Sequence, residues 1–191
     1  DGRAGRVQMF VWNTSSPLLD GSLDQTVILH ELTHGVSNRL IGNGLGLGGY
    51  QAAGMGEGWS DYLALALLSK ETDSIDGQFM IAQYATNLPA RGLRSFPYTT
   101  DINASPRTFG FIRFTREVHT VGEIWCAALW EMRAALLKQY GFQTGQRQSI
   151  QLVLDGMKFT PIEPTFLEAR DAILLADRVN NNGANQCLLW Q

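Results

Sequence analysis

The chain has 191 residues, 45% of them hydrophobic and 17% charged, with a formal net charge of −3. That is enough apolar material for one domain with a buried core, or for one compact piece of a larger domain. The acidic balance excludes the basic footprint of a nucleic-acid binder, and no apolar run approaches the roughly 18 residues needed to cross a bilayer.

In chain order, Val7-Gln8-Met9-Phe10-Val11-Trp12 reads as a strand. Residues 15–21, with Pro17 and Gly21, form a turn-rich connection. Ser22 with Gln25 three residues on makes a capping box, or Asp24 is itself the cap, and a helix over residues 23–40 follows. Glycine dominates residues 41–56 and predicts a loop. A second helix is expected over residues 55–70, with Trp59, Leu63, Ala66 and Leu67 at helical spacing. A short helix fits residues 78–87, and residues 88–114, with three prolines, read as irregular. Helical periodicity returns over residues 119–140, 145–159 and 165–179, and Asn180-Asn181-Asn182-Gly183 suits a left-handed stop. The fold class is therefore mainly α with a short N-terminal strand, without the alternation that builds a parallel sheet.

The sequence opens on Asp1-Gly2-Arg3, runs almost at once into the strand-like Val7–Trp12, and ends on the apolar run Cys187-Leu188-Leu189-Trp190-Gln191. Residues 1–191 are accordingly expected to be a single partial domain, truncated at both ends, and no signal peptide opens it. Cys126 and Cys187 are either one disulfide or two free thiols; neither belongs to a CxxC pair, which argues against a thiolate zinc site.

The chemistry concentrates at His30-Glu31-Leu32-Thr33-His34. On a helix, residues four apart share a face, so His30 and His34 can aim two imidazoles at one metal ion. Glu31 flanks that point without ligating and is placed to act as general base toward water activated by the metal. The extended HExxHxxGxxH pattern is excluded because Ser37 and Leu40 stand where glycine and histidine are required. A third ligand is instead offered by Glu57, 23 residues after His34 in Gly54-Met55-Gly56-Glu57-Gly58-Trp59-Ser60-Asp61. Asp61, one turn further on, can accept a hydrogen bond from a ligand imidazole and fix its tautomer. The remaining histidine, His119, falls at the start of the third long helix, where it can donate to the oxyanion of a tetrahedral intermediate. Tyr50 and Tyr62 are both candidates for a second donor.

These segments, with Asp20-Gly21-Ser22-Leu23-Asp24, Val118-His119-Thr120-Val121-Gly122-Glu123 and Asp177-Arg178-Val179-Asn180-Asn181-Asn182-Gly183, resemble the fungalysin family of extracellular zinc metalloproteinases. Fungalysins are distant relatives of thermolysin. The resemblance implies the helical C-terminal half of a thermolysin-like catalytic domain (α+β when whole), with one catalytic Zn2+ on His30, His34 and Glu57. It further implies Glu31 as general base, Asp61 as orienter and His119 as transition-state histidine. Endopeptidase action on extracellular polypeptides, secretion and an inhibitory propeptide in the precursor follow from the same likeness. Calcium has no spaced EF-hand loop to support it. Two other readings stand beside this one: a zinc aminopeptidase, for which no amine-capturing motif is visible, and a catalytically incompetent metal-binding fragment.

Overall fold

The computed structural model describes residues 5–13 and 15–190. The first element is a two-stranded antiparallel ribbon, β1 (Val11–Trp12) and β2 (Leu19–Asp20), with Val11 opposite Asp20 and Trp12 opposite Leu19. The expected strand from residue 7 is cut to two residues because its partner ends early. The Asp20 carboxylate accepts from Ser22 N at 2.9 Å and turns the chain into a single 3-10 turn, Gly21–Leu23.

Helix α1 (Gln25–Leu40) follows. Of the two caps the sequence allows, the one formed is Asp24, whose Oδ1 accepts from Thr26 N at 3.0 Å and Val27 N at 3.4 Å. Its Oδ2 accepts from Tyr84 N and Ala85 N at 3.1 and 3.0 Å, so one buried carboxylate seals the starts of α1 and α3 (Gln83–Thr86) together. That short helix does not fill residues 78–87. Ala82 is left-handed at φ 59°, which blocks an earlier start, and Phe79 pairs antiparallel with Tyr98.

Helix α2 (Tyr50–Leu68) begins five residues before the expected residue 55, inside the glycine-rich stretch. Its glycines serve packing rather than looping. A Cβ on Gly54 would lie 2.3 Å from Val121 Cγ1, and one on Gly58 would lie 2.6 Å from Gly122 O. α2 therefore crosses α4 (Val118–Phe159) almost backbone to backbone, and Trp59 meets Trp125 edge to face beside the crossing. α4 runs through both expected helical segments, broken at Gly141 (φ 74°, ψ 169°). α5 (Phe166–Asn181) opens on a Thr165–Glu168 capping box and ends at left-handed Asn182 and Gly183, followed by α6 (Gln186–Trp190). The core lies between α2, α4 and α5, and among the described residues no helix is long and apolar enough to cross a membrane. Cys126 is buried and Cys187 exposed, both as free thiols.

Candidate metal centre

α1 contributes His30 and His34 from one face, one turn apart, with their Nε2 atoms 3.1 Å from each other. α2 crosses this face and contributes Glu57, whose Oε2 lies 3.2 Å from His30 Nε2 and whose Oε1 lies 3.5 Å from His34 Nε2. All three ligand atoms fall within 4.8 Å of one another; among the described residues this is the one such cluster of His, Cys, Asp or Glu. Glu57 Oε2 is buried without an aligned hydrogen-bond partner. Two nitrogens and a carboxylate oxygen turned toward one point, one of them orphaned, make a donor set that fits a small divalent cation, and this composition suits zinc.

Asp61, one turn after Glu57 and fully buried, lies behind His30 with Oδ1 2.7 Å from Nδ1. Nδ1–H therefore donates to Asp61, and Nε2 faces the cluster as the atom that can ligate. Burial pulls the His30 imidazolium down, but the hydrogen bond to Asp61 and the nearby Glu57 carboxylate prevail and raise it to about 9. Burial and the neighbouring His30 push His34 the other way. Burial opposes ionisation of Glu57 and Asp61, yet both are held below the usual carboxylate range, Glu57 by His30 and Asp61 chiefly by the Arg94 guanidinium.

Glu31 is exposed on α1 and, with Leu32 and His34, lines a groove of about 720 Å³ whose far wall includes residues 5–8. His119 arrives from the first turn of α4, with Nε2 3.5 Å from Glu57 Oε2 and its side chain half exposed. The close α2–α4 crossing makes that approach possible. Of the two tyrosines left open by the sequence, Tyr62 is buried in the core against Trp130 and is excluded as a donor in the cleft. Tyr50, the first residue of α2, stays partly exposed under the Arg116 guanidinium.

Three site residues went unread in the sequence. Arg94 donates from Nε to Asp61 Oδ2 at 2.6 Å and from Nη2 to Oδ1 at 2.9 Å, and Tyr98 Oη donates to Asp61 Oδ2. Both lie in the segment without periodicity, where single residues carry no spacing signal. Glu117 caps α4 through Thr120 N at 2.7 Å and meets His119 Nδ1 at 2.6 Å. Burial opposes its charge, but the hydrogen bonds from His119 and Thr120 together bring it down to about 2. A carboxylate two residues before a helix-starting histidine is the one signal that marked it.

The fungalysin metallopeptidase family model matches residues 1–191, the whole length of the chain. The chain belongs to the fungalysin metallopeptidase family. Over its entire length, this fungalysin chain is 38% identical to a probable extracellular metalloproteinase 3 of Trichophyton verrucosum and to the extracellular metalloproteinase MEP of Pyricularia oryzae, covering 32% of each. It is 37% identical to extracellular metalloproteinase 3 of Trichophyton soudanense, covering 53% of it. The fungalysin chain thus spans about a third to a half of the relatives it matches.

Proposed function

We propose that this chain carries the catalytic zinc site of a secreted endopeptidase that hydrolyses internal bonds of extracellular polypeptides. The observation that carries the reading is the convergence of His30, His34 and Glu57 within 4.8 Å, with His30 held in one tautomer by Asp61. Family membership supports a metallopeptidase, and the extracellular designation of the relatives supports secretion. An inhibitory propeptide in the precursor belongs to the same proposal.

When bound, zinc supplies a Lewis acid that polarises the scissile carbonyl and lowers the pKa of water. His30, His34 and Glu57 would hold it. Glu31, one residue from a ligand and open to the groove, takes the proton of the attacking water and delivers it to the departing amine. His119, with Nδ1 engaged by Glu117, turns Nε2 toward the Glu57 side of the cleft and from there donates to the oxyanion.

Metal analysis of the purified protein beside Glu31→Gln tests this reading. About one zinc per chain is expected in both, with peptidase activity lost only in the variant. A folded wild type without zinc sinks the site, and an active Glu31→Gln sinks the mechanism. Cleavage of an N-terminally blocked, internally quenched peptide separates an endopeptidase from an aminopeptidase, which needs the free amine.

A further inference from the structure

Asp61 is a single carboxylate with four donors upon it. Oδ1 faces His30 Nδ1 at 2.7 Å and Arg94 Nη2 at 2.9 Å; Oδ2 takes Arg94 Nε at 2.6 Å and the Tyr98 hydroxyl. An ionised carboxylate offers about four lone-pair positions, so this one is saturated. A saturated carboxylate has no freedom to rotate about its own axis, to swing toward a metal ion as a competing ligand, or to surrender the Nδ1 proton of His30. Arg94 grips both oxygens and is compatible with some rocking of the pair. The donor that fixes Oδ2 from a second direction is Tyr98.

Tyr98 is held for this task. Its backbone pairs with Phe79, Tyr98 N donating to Phe79 O at 2.8 Å and Phe79 N to Tyr98 O at 3.0 Å. Leu93 N donates to Ile81 O at 2.8 Å, so the arc from Arg94 to Tyr98 is pinned at both ends to one neighbouring segment. Glu123 of α4 accepts from Ser95 N at 2.9 Å within the same arc. The phenol is 2% exposed and Asp61 is fully buried. A phenylalanine would fill the same core volume and lack only the bond.

We infer that Tyr98 is a positioning residue for the metal centre, acting through Asp61 to fix the ring and tautomer of His30. The inference rests on the zinc reading above. Outer partners of this kind are worth about ten- to a hundredfold in metal affinity. Zinc dissociation constants are to be measured by chelator competition for the wild type, Tyr98→Phe and Tyr62→Phe. Tyr62 follows Asp61 in α2 and is equally buried, but its ring packs against Trp130 and makes no hydrogen bond to the Asp61 carboxylate, so its loss controls for removing a hydroxyl from the core. The expected result is zinc binding weakened about ten- to a hundredfold in Tyr98→Phe alone. The visible spectrum of its Co2+-substituted form should also change, while the metal-free variants unfold at similar temperatures.

Wild-type affinity in folded Tyr98→Phe overturns the inference, as does equal weakening in Tyr62→Phe. A wild type that binds no zinc fails differently: it removes the site itself and the inference with it. If Tyr98→Phe does not fold, proton NMR of the zinc-loaded wild type decides. A slowly exchanging, low-field hydroxyl resonance from Tyr98 is expected, and its absence overturns the assignment.

Discussion

Replacing Gly122 with alanine tests whether the α2–α4 crossing sets the geometry of the cleft. On helix propensity alone the change should stabilise α4 by about 1 kcal/mol. Packing opposes this. The new Cβ would stand 2.6 Å from Glu57 Cβ and 2.9 Å from both Gly54 O and Gly58 N, and helix backbone cannot yield as a flexible side-chain tip would. Reaching ordinary contact at 3.4 Å parts the helices by roughly 0.8 Å. Overpacking of this kind costs about 1–3 kcal/mol, leaving a net loss of about 0–2 kcal/mol after the propensity gain. For a chain of this size the thermal midpoint should fall by up to about 8 °C. The catalytic effect should be larger, because the displacement falls between Glu57 and His119. Misplacement by about 1 Å can cost a hundredfold, so kcat/KM should drop about ten- to a hundredfold, mostly in kcat. Differential scanning calorimetry and steady-state kinetics on the quenched peptide measure both. An unchanged or raised midpoint with wild-type turnover would refute the idea that backbone contact at this crossing positions the histidine.

Asp24→Ala removes the acceptor for four backbone N–H groups at the starts of α1 and α3. A stability loss of about 2–4 kcal/mol is expected in urea unfolding, with partial recovery in Asp24→Asn; a loss no larger than that of an ordinary surface cap would contradict the double-cap description. Asp177 gives a pH-dependent counterpart. Burial opposes its charge, yet hydrogen bonds from Gln186, Asn185 and Asn181 hold the carboxyl below its ordinary 3.8. The folded state thus binds fewer protons here than the unfolded state. The stability from Asp177 is complete above about pH 3.8 and is lost as pH falls below it toward the depressed folded value. Asp177→Asn should be less stable at neutral pH and lose less than the wild type across that acid window; parallel curves would show that Asp177 contributes nothing.

The long helices α1, α4 and α5 were legible because their apolar residues recur with the helical period and their stops carry turn residues such as Asn182 and Gly183. The start of α2 was not. Gly54, Gly56 and Gly58 read locally as breakers, and the partner helix explains Gly54 and Gly58, since their contacts at Val121 and Gly122 are invisible to a local reading. The candidate ligands were legible for the opposite reason. His30 and His34 are tied by helix spacing, and Glu57 and Asp61 share one face of one helix. Arg94 and Tyr98 reach the site through a β-bridge and an irregular arc, so no sequence period links them to Asp61. Val7–Trp12 has strand-like composition throughout, but the ladder pairs only Val11 and Trp12, with one further bond from Gly21 N to Phe10 O at 2.9 Å.

Glu117 serves two masters at the start of α4. The carboxylate that receives the helix's N–H groups also grips His119 Nδ1. Helix ends fray, and their opening is the cheapest local motion a helix has. Here a frayed first turn also releases the imidazole, so the ring keeps its aim only while the turn is wound. Stiffening this terminus and steadying the histidine are therefore one and the same intervention, and an agent that loosens the turn would silence the histidine while leaving the distant core intact.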